Sequence, residues 1–550
     1  MEDDSGQPLI VQGESSGEQD QNTNDYKLIN YSNMQTLTKA GISTDNTANF
    51  EDKAQNIDKI CQKKIEYAKD IGQQPECDPN QQNMQRDALT PRHVAAYAVG
   101  HFSNDLCAAA WFTYVLYFVK NVVKLDAVIA AFVMLSGQIA DGLTTPVVGF
   151  FSDKTKSRIG KRAPWYIFGT FLVIPTFLGI FIKPDFEKNS PGEIAYYITL
   201  PAVFNVGWAC VQISNMSVVN SLTFSTQRRD RLISLRNGFT YIANFTVLTA
   251  ALILFATIDS QDWQFRILCF IIVGIGFITS MFYMTNIREP YLSKSAKRLQ
   301  KEYLKVHQPH LSEEEQKALT QKPKSSMLSV QMKVWSDWLK EGHFYIYGAV
   351  YCMVRIAVNV TMSVQPFYLI KVTGFIETED DPTPLPIALV PLVSYTTSLI
   401  FSLFVYKRMM QRFRNRFIPL LISVIVITAG SVPYLFLNSD PNVRWLVYLL
   451  SSIQGVGLAI MINTATSLIS DVIGRDDQSS AFVYGAYSFF DKVANGVIIF
   501  GITASWIDNE VALKWCIAVI PAACGFGAFL LSYIGNRLYG KRLAKLSLDK

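Results

Sequence analysis

Charged residues lie inside stretches of this chain that are otherwise apolar enough to cross a membrane. Lys492 lies within residues 479–500, whose composition is otherwise that of a membrane span. A cation buried at that depth costs roughly 2.5–3.5 kcal/mol on insertion scales, so it requires a partner or a function. Four more charges have similar surroundings: Asp105, Asp141, Arg355 and Asp491. Such charges mark ion or solute pathways, so the pattern favours a transporter over a membrane anchor.

The acidic residues in these stretches predict binding of cations or hydroxyl groups. Asp105 is a candidate for a solute ammonium or hydroxyl, and its alternative role is pairing with a cation on another helix. Asp141 is a candidate for a proton or coupling cation, and its alternative role is an interhelical ion pair. Asp491 is rotated by about 100° from Lys492 on a helix, so the two cannot face the same point. We therefore assign Asp491 a structural role.

The basic residues predict binding of a carboxylate. Arg355 offers a guanidinium suited to bidentate contact, and Asn359 follows one helical turn later. The alternative role of Arg355 is to pair with Asp105 or Asp141. Lys492 offers a compact ammonium, either for a solute carboxylate or for an acidic side chain. Arg236, near the start of another apolar stretch, is expected to face the cytosol.

Histidines and aromatic residues provide weaker signals. His101 is a candidate proton carrier because histidine titrates near neutral pH, whereas His93 is expected to be interfacial. Several aromatic side chains are candidates for lining a cavity, although packing and interface anchoring are the commoner roles. They are Trp111, Tyr114, Tyr347, Tyr351, Tyr484 and Tyr487; of these, Tyr484 is retained as a substrate-binding candidate.

The hydropathy pattern predicts an all-α membrane protein. Only 17% of the 550 residues are charged, against about 25% in soluble domains. Runs of about 20 apolar residues predict twelve spans. They cover residues 93–119, 126–151, 164–183, 194–222, 235–258, 265–287, 343–370, 385–406, 417–437, 444–470, 481–507 and 514–537.

Basic residues predict the orientation of these spans. They cluster after spans 2, 4 and 8, within residues 154–162, 228–231 and 407–416, whereas the alternate loops hold one or two cations each. The positive-inside rule therefore predicts that the even-numbered loops and both termini are cytosolic. Because the basic runs are short and lie between spans, a nucleic-acid surface is excluded.

Composition also divides the chain. The predicted segments are a disordered cytosolic tail (1–90), a six-helix half (91–290), a cytosolic linker (291–342), a second six-helix half (343–540) and a short tail (541–550). Leu9-Ile10 resembles an acidic-dileucine sorting signal for an adaptor, but Ser5 stands where an acid is usual. A chance Leu-Ile pair is the alternative.

Several chemistries have no sequence signal. The eight cysteines lie in the tail or in predicted spans, so no disulfide framework is indicated. No cleavable signal peptide is visible, and the first span is expected to direct membrane targeting. We find no P-loop and no Cys/His metal spacing, so we expect no cofactor, no metal and no enzymatic activity.

The loop after span 2 resembles the cytosolic motif of the major facilitator superfamily. Gly149 permits close helix contact, Asp153 can cap or pair at a helix end, and three cations can hold neighbouring helix ends together. The cations are Arg158, Lys161 and Arg162. Such a latch would favour one conformer of a transport cycle. Simple positive-inside charge is the alternative, although it leaves the glycine and aspartate unexplained.

Further segments resemble the glycoside–pentoside–hexuronide:cation symporters of that superfamily. They are residues 140–149, 161–169, 227–236 and the spacing from Tyr484 to Lys492. Sodium-coupled members have two carboxylates one turn apart in span 2. This chain has Asp141 at the first position and Thr145 at the second, so the resemblance makes these two the coupling-ion candidates and weakens the case for sodium.

A closer resemblance is to the lysosomal and melanosomal cysteine importers of animals, through residues 100–114, 137–146, 355–359 and 481–496. It implies a twelve-helix major facilitator bundle that imports cysteine into a lysosome-like compartment, with proton coupling left open. A proton- or sodium-coupled sugar symporter remains an alternative, as does a location at the plasma membrane. A non-transporting receptor or scaffold is an alternative of another class.

Overall fold

A computed structural model describes the chain in five segments, which are residues 87–307, 338–375, 383–413, 417–473 and 480–548. In these segments all regular elements are helical. Residues 1–86 of the predicted N-terminal tail, with Leu9-Ile10 and Ser5, lie outside the described residues, as does most of the predicted linker.

The first six predicted spans are present as helices. Span 1 comprises Pro91–Val99, Phe102–Ala110 and two π-helical turns, Trp111–Val115 and Phe118–Val122. Spans 2 to 6 are Ala127–Lys154, Ala163–Ile180, Pro191–Leu222, Thr226–Thr257 and Gln261–Asn286. A further helix, Glu289–His307, follows span 6.

The last six spans follow the same order. They are Gly342–Lys371, Pro386–Phe401 with its extension to Arg412, Phe417–Ser431 with a 3-10 turn to Leu435, Leu446–Ile473 after the short helix Pro441–Arg444, Ser480–Ser505 and Glu510–Leu548. Within the described segments, ten helices have the length and hydropathy to cross a membrane. The other two predicted spans are the broken span 1 and the charged span 11.

Span 1 is not the continuous helix that its hydropathy predicts. Its two α-helical pieces are separated at Gly100 and His101. The hydroxyl of Tyr166 donates a 2.7 Å hydrogen bond to the Gly100 carbonyl, which gives that carbonyl a partner outside the helix. A Cβ at Gly100 would lie 2.3 Å from the ring of Tyr283. The break therefore allows spans 3 and 6 to approach span 1 closely.

Local capping interactions define where several helices begin. Thr90 accepts a hydrogen bond from the backbone of His93, and Pro91 occupies the first turn. Ser190 and Ser225 cap spans 4 and 5 in the same way. These caps provide hydrogen-bond acceptors for backbone N–H groups in the first turns of the three helices.

The first six spans contact the last six mainly through spans 2 and 11. The rings of Phe132 and Phe500 are 4.9 Å apart, and a Cβ at Gly496 would lie 3.0 Å from Gln138. A Cβ at Gly142 would lie 3.7 Å from Lys492. This interface places the charged residues of the two spans beside each other.

Candidate substrate and coupling site

The four charged residues considered as candidates inside the spans lie at one depth in the bundle. We define the basic end by the loops at residues 155–162 and 223–225, and the opposite end by residues 183–190 and 506–509. Asp105, Asp141, Arg355 and Lys492 each lie about 12–14 residues from the basic end of their span, or about 18–21 Å. The polar groups are therefore concentrated near the middle of the bundle.

Lys492 pairs with an acid across the interface between the two sets of six spans. Its ammonium forms an ion pair with Asp141 of span 2 and donates a 3.4 Å hydrogen bond to Thr145. The Thr145 hydroxyl in turn donates to Asp141 at 3.2 Å. The two coupling-ion candidates of span 2 therefore contact a lysine of span 11.

Arg355 pairs within the second set of spans. Its Nε donates a 3.1 Å hydrogen bond to Asp491. Asn495 donates to the other oxygen of Asp491 at 2.6 Å. The expected alternative, pairing of Arg355 with Asp105 or Asp141, is therefore wrong. The rotation between adjacent helical positions explains this, since Asp491 faces span 7 while Lys492 faces span 2.

Lys492 and Arg355 both take the pairing role that was the alternative to direct binding of a solute carboxylate. Each has a carboxylate partner, and the four side chains together carry no net charge. A solute carboxylate would therefore have to exchange with an existing partner. Asn359 is buried one turn after Arg355. Tyr484 lies on the span 11 helix, but its side chain is outside the described part of the structure.

A second polar cluster lies at the break in span 1. His101 Nδ1 is 3.0 Å from one oxygen of Asp105, and the hydroxyl of Thr240 donates to the other oxygen at 3.1 Å. Both His101 and Asp105 are buried. Arg236, one turn before Thr240, is half-buried and within electrostatic range of the ring. The expectation that Arg236 faces the cytosol stays a prediction.

The loop after span 2 forms a clamp at the basic end, but with one cation rather than three. Arg162 is buried and pairs with Glu289 at 3.5 Å. Its Nε donates to Ser217 of span 4 at 2.5 Å, and its backbone N–H donates to Glu289 at 2.9 Å. Gly160 has a φ of 123° beside the same carboxylate. The clamp joins spans 3, 4 and 6, all in the first set.

The other expected latch residues do not take part in this clamp. Arg158 and Lys161 are exposed. Gly149 has open space beside it, so its predicted close helix contact is absent from this conformation. The side chain of Asp153 lies outside the described structure. Arg158 and Lys161 point to solvent, whereas Arg162 is adjacent to the buried Glu289. For this reason only Arg162 takes part in the clamp.

At the opposite end, one carboxylate joins both sets of spans. Asp508, between spans 11 and 12, pairs with Lys120 of span 1 at 3.1 Å and with Lys371 of span 7 at 2.5 Å. Deeper in the bundle, Ser363 of span 7 donates to the Phe112 carbonyl of span 1 at 3.3 Å. By contrast, Gly149 and Gly485, on the basic side of spans 2 and 11, have open space beside them. The sets are thus joined at the middle and at the opposite end.

Sequence reasoning did not identify Glu289, Asp508, Thr240 or Asn495. Glu289 and Asp508 lie next to span ends, where charged residues are common and carry no distinctive signal. Thr240 and Asn495 are uncharged, and their only signal is a position one turn from a charged residue. Most predicted cavity aromatics that the structure describes are packing residues. Trp111 stacks on Phe204, for example.

Comparisons with known proteins agree with this architecture. A family model described as "MFS/sugar transport protein" matches residues 96–312. Mouse major facilitator superfamily domain-containing protein 12 is 32% identical over 427 residues, covering 74% of this chain and 83% of that protein. The human protein of that name is 30% identical, covering 82% of this chain and 95% of its own length.

Solved structures show the same fold. An inward-open structure of the E. coli xylose transporter XylE matches with a TM-score of 0.55 at 12% identity, covering 80% of this chain and 94% of that one. The nucleoside transporter NupG matches with a TM-score of 0.53 at 11% identity, covering 82% and 99%.

The fold is that of these multi-pass transporters, and the described residues form the twelve predicted spans in two sets of six. Together with the identity to relatives across most of its length, this establishes that the chain belongs to the major facilitator superfamily.

Proposed function

We propose that this transporter carries cysteine from the cytosol into a lysosome-like compartment by alternating access. The observation that carries the proposal is the Asp141–Lys492 ion pair, which crosses between the two sets of spans at mid-depth. A contact at that place must be remade whenever the two sets move relative to each other. A solute that binds there is therefore coupled to the movement.

The charge balance of the central residues suits a zwitterion. Asp141 with Lys492, and Asp491 with Arg355, form two neutral pairs. Leaving one buried charge without its partner costs about 3–5 kcal/mol. A zwitterion supplies one positive and one negative group, so it can exchange with an ion pair and leave no charge unpaired. The resemblance to the cysteine importers suggests which zwitterion it is.

The arrangement at Asp141 argues against sodium as the coupling ion. The ammonium of Lys492 already contacts both Asp141 and Thr145, so a positive charge occupies the position that a cation would take. A sodium ion prefers several oxygen ligands, and a single carboxylate with one hydroxyl provides few of them. Coupling to protons remains part of the proposal.

The location of the transporter is also a proposal. Positive-inside charge predicts that both termini are cytosolic, and Leu9-Ile10 would then be available to a sorting adaptor. Replacing both residues by alanine should move some of the protein to the plasma membrane. Unchanged residence in the organelle would mean that the signal lies elsewhere in the chain.

The deciding experiment is uptake by proteoliposomes supplied with a panel of amino acids and sugars, with and without a pH gradient. We expect saturable uptake of radiolabelled cysteine and no uptake of sugars. Cysteine uptake that equals that of protein-free liposomes would reject the proposal.

A sugar symporter is the second candidate, because the matching family model is described as "MFS/sugar transport protein" and Asp141 is present. It predicts cation-dependent sugar uptake in the same panel. A receptor or scaffold without transport predicts no uptake of any solute and tolerance of neutral substitutions at Arg355 and Lys492.

A further inference from the structure

The cluster at the break in span 1 has a geometry that the central ion pairs lack. Asp105 has one oxygen held by Thr240 at 3.1 Å and the other at ion-pair distance, 3.0 Å, from His101. The His101 ring lies beside the carboxylate without the alignment of a hydrogen bond, and its Nε2 is buried without a hydrogen-bond partner. The positive partner of Asp105 is thus a group whose charge depends on pH.

We propose that His101 and the ammonium group of the solute compete for Asp105, so that a proton on His101 displaces the solute. This inference rests on the proposed function, and it identifies a proton site separate from Asp141 and Thr145. When His101 is neutral, Asp105 lacks a cationic partner on that oxygen and binds an ammonium. When His101 is protonated, the imidazolium pairs with Asp105 and the ammonium leaves.

At Asp105 itself the charge balance is the same in both states. Asp105 carries one negative charge and has one positive partner, which is either the imidazolium or the solute ammonium. One proton therefore binds for each solute released, which is exchange rather than symport. A solute would load at the neutral pH of the cytosol and be released at acidic pH, in the direction proposed above.

The other groups that face the pair do not titrate in this range. Arg236 of span 5 remains charged at all relevant pH values, and its charge acts against a charge on the ring. Cys107 on the same helix lies within electrostatic range of Asp105, and Tyr97 lies within range of Arg236. Tyr166 and Tyr283, from spans 3 and 6, contact Gly100. The ordinary pKa values of thiols and phenols are near 8.5 and 10, so His101 is the group of this cluster whose ordinary pKa, about 6.5, lies between pH 5 and 7.

The test measures the KM for radiolabelled cysteine in proteoliposomes at about pH 5 and about pH 7 on the side of addition. Over this range the charges of the amino and carboxylate groups of cysteine are constant. For the native chain we expect the KM to rise about tenfold or more at the lower pH. In the His101→Gln variant, whose side chain cannot take up a proton, the KM should be the same at both values.

His343→Gln is the matched control. His343 is also buried, and its ring is 3.2 Å from the carboxylate of Glu341, but it lies at the start of span 7. This variant should keep the native pH dependence. If His101→Gln also keeps it while transporting cysteine, the competition is refuted and the proposed function is unaffected.

A second measurement avoids dependence on the folding of the variant. Cysteine added to the purified native protein in weak buffer at about pH 6.5 should release up to one proton per molecule bound. Binding without proton release would overturn the inference. If the native protein does not bind cysteine at all, the substrate proposal fails instead.

If the native protein does not bind cysteine, the pair of His101 and Asp105 is tested through stability alone. The melting temperature of the native protein should exceed that of Asp105→Asn by more at about pH 5, where the imidazolium has a partner to lose, than at about pH 7. An equal difference at the two pH values would refute the proton site.

Discussion

Ion pairs within one set of six spans should affect the protein differently from ion pairs that join the two sets. Arg162 with Glu289, at the basic end, links helices of the first set and can persist while the sets move. Asp141 with Lys492 links one set to the other, so it must break or rearrange during alternating access. Pairs of the first kind should therefore determine stability, and pairs of the second kind should determine transport.

The largest effect is expected for Lys492→Ala. This change leaves Asp141 buried without its cation, and breaking a buried pair in this way costs about 3–5 kcal/mol. We expect transport to be abolished while the protein still reaches its membrane. Uptake and surface or organelle labelling of the same cells measure the two outcomes.

Arg355→Ala tests the same distinction from the other side, because Arg355 pairs with Asp491 within the second set of spans. It should reduce the amount of folded protein more than Lys492→Ala does. Lys183→Ala, at an exposed residue, is the control that should change neither property. Full transport by both Lys492→Ala and Arg355→Ala would show that neither cation is needed for the cycle.

The sequence was sufficient to locate the twelve spans and the buried charges, but not the pairings between them. Hydropathy identifies a helix by its average composition, so it could not show that span 1 breaks at Gly100, where the cause is a contact with Tyr166 from another span. Likewise, the sequence suggested Asp105 or Asp141 as partners of Arg355, whereas the acid that it contacts is Asp491. Which acid it contacts depends on helix rotation and packing, and these are properties of the assembled bundle.

Glu289→Gln should have the next largest effect. It removes the charge that faces buried Arg162 but keeps a side chain that can accept its hydrogen bonds, so we expect a loss of about 1–3 kcal/mol in stability. Because the clamp lies within one set, transport per folded molecule should be retained. Thermal unfolding in detergent and uptake normalised to folded protein measure these two quantities.

Glu302→Gln is the matched control on the same helix, since Glu302 is exposed and pairs with exposed Arg298. Its expected effect is at most about 0.5 kcal/mol. If Glu289→Gln instead abolished transport without lowering stability, the clamp would be part of the moving machinery, and the distinction between the two kinds of pair would be lost.

A smaller effect is expected for Asp508→Asn, because the pairs of Asp508 with Lys120 and Lys371 are partly exposed. Such pairs contribute about 0.2–1 kcal/mol each, so loss of both should raise the fraction of molecules open at the opposite end about two- to thirtyfold. Spin labels at Lys188→Cys and Asn438→Cys, in exposed loops at that end, would report a longer distance. No change in their distance distribution would exclude Asp508 from closing the bundle.

This effect should not depend on pH in the range of an acidic organelle. Partial burial acts to raise the pKa of Asp508, but hydrogen bonds and charge from Lys371 and Lys120 outweigh it, and the pKa lies below its ordinary value. A carboxyl group with a lowered pKa contributes its full stabilisation above the ordinary value of about 3.9 and loses it only as the pH falls through the lowered pKa. The effect of Asp508→Asn at about pH 5 should therefore equal its effect at about pH 7.

The smallest effect is expected when sodium is replaced by choline. The Lys492 ammonium contacts Asp141 and Thr145, so the native chain already has a cation at this pair between the two sets. We expect cysteine uptake to change by less than about twofold, because a further cation there would meet electrostatic repulsion. Thr145→Asp adds a second carboxylate one turn after Asp141, and uptake by this variant should become measurably sensitive to sodium. A several-fold loss of uptake by the native chain in choline would mean that Asp141 releases Lys492 and binds sodium during the cycle. Lys492 and sodium would then compete for Asp141 during the cycle, and Lys492 would not replace sodium permanently.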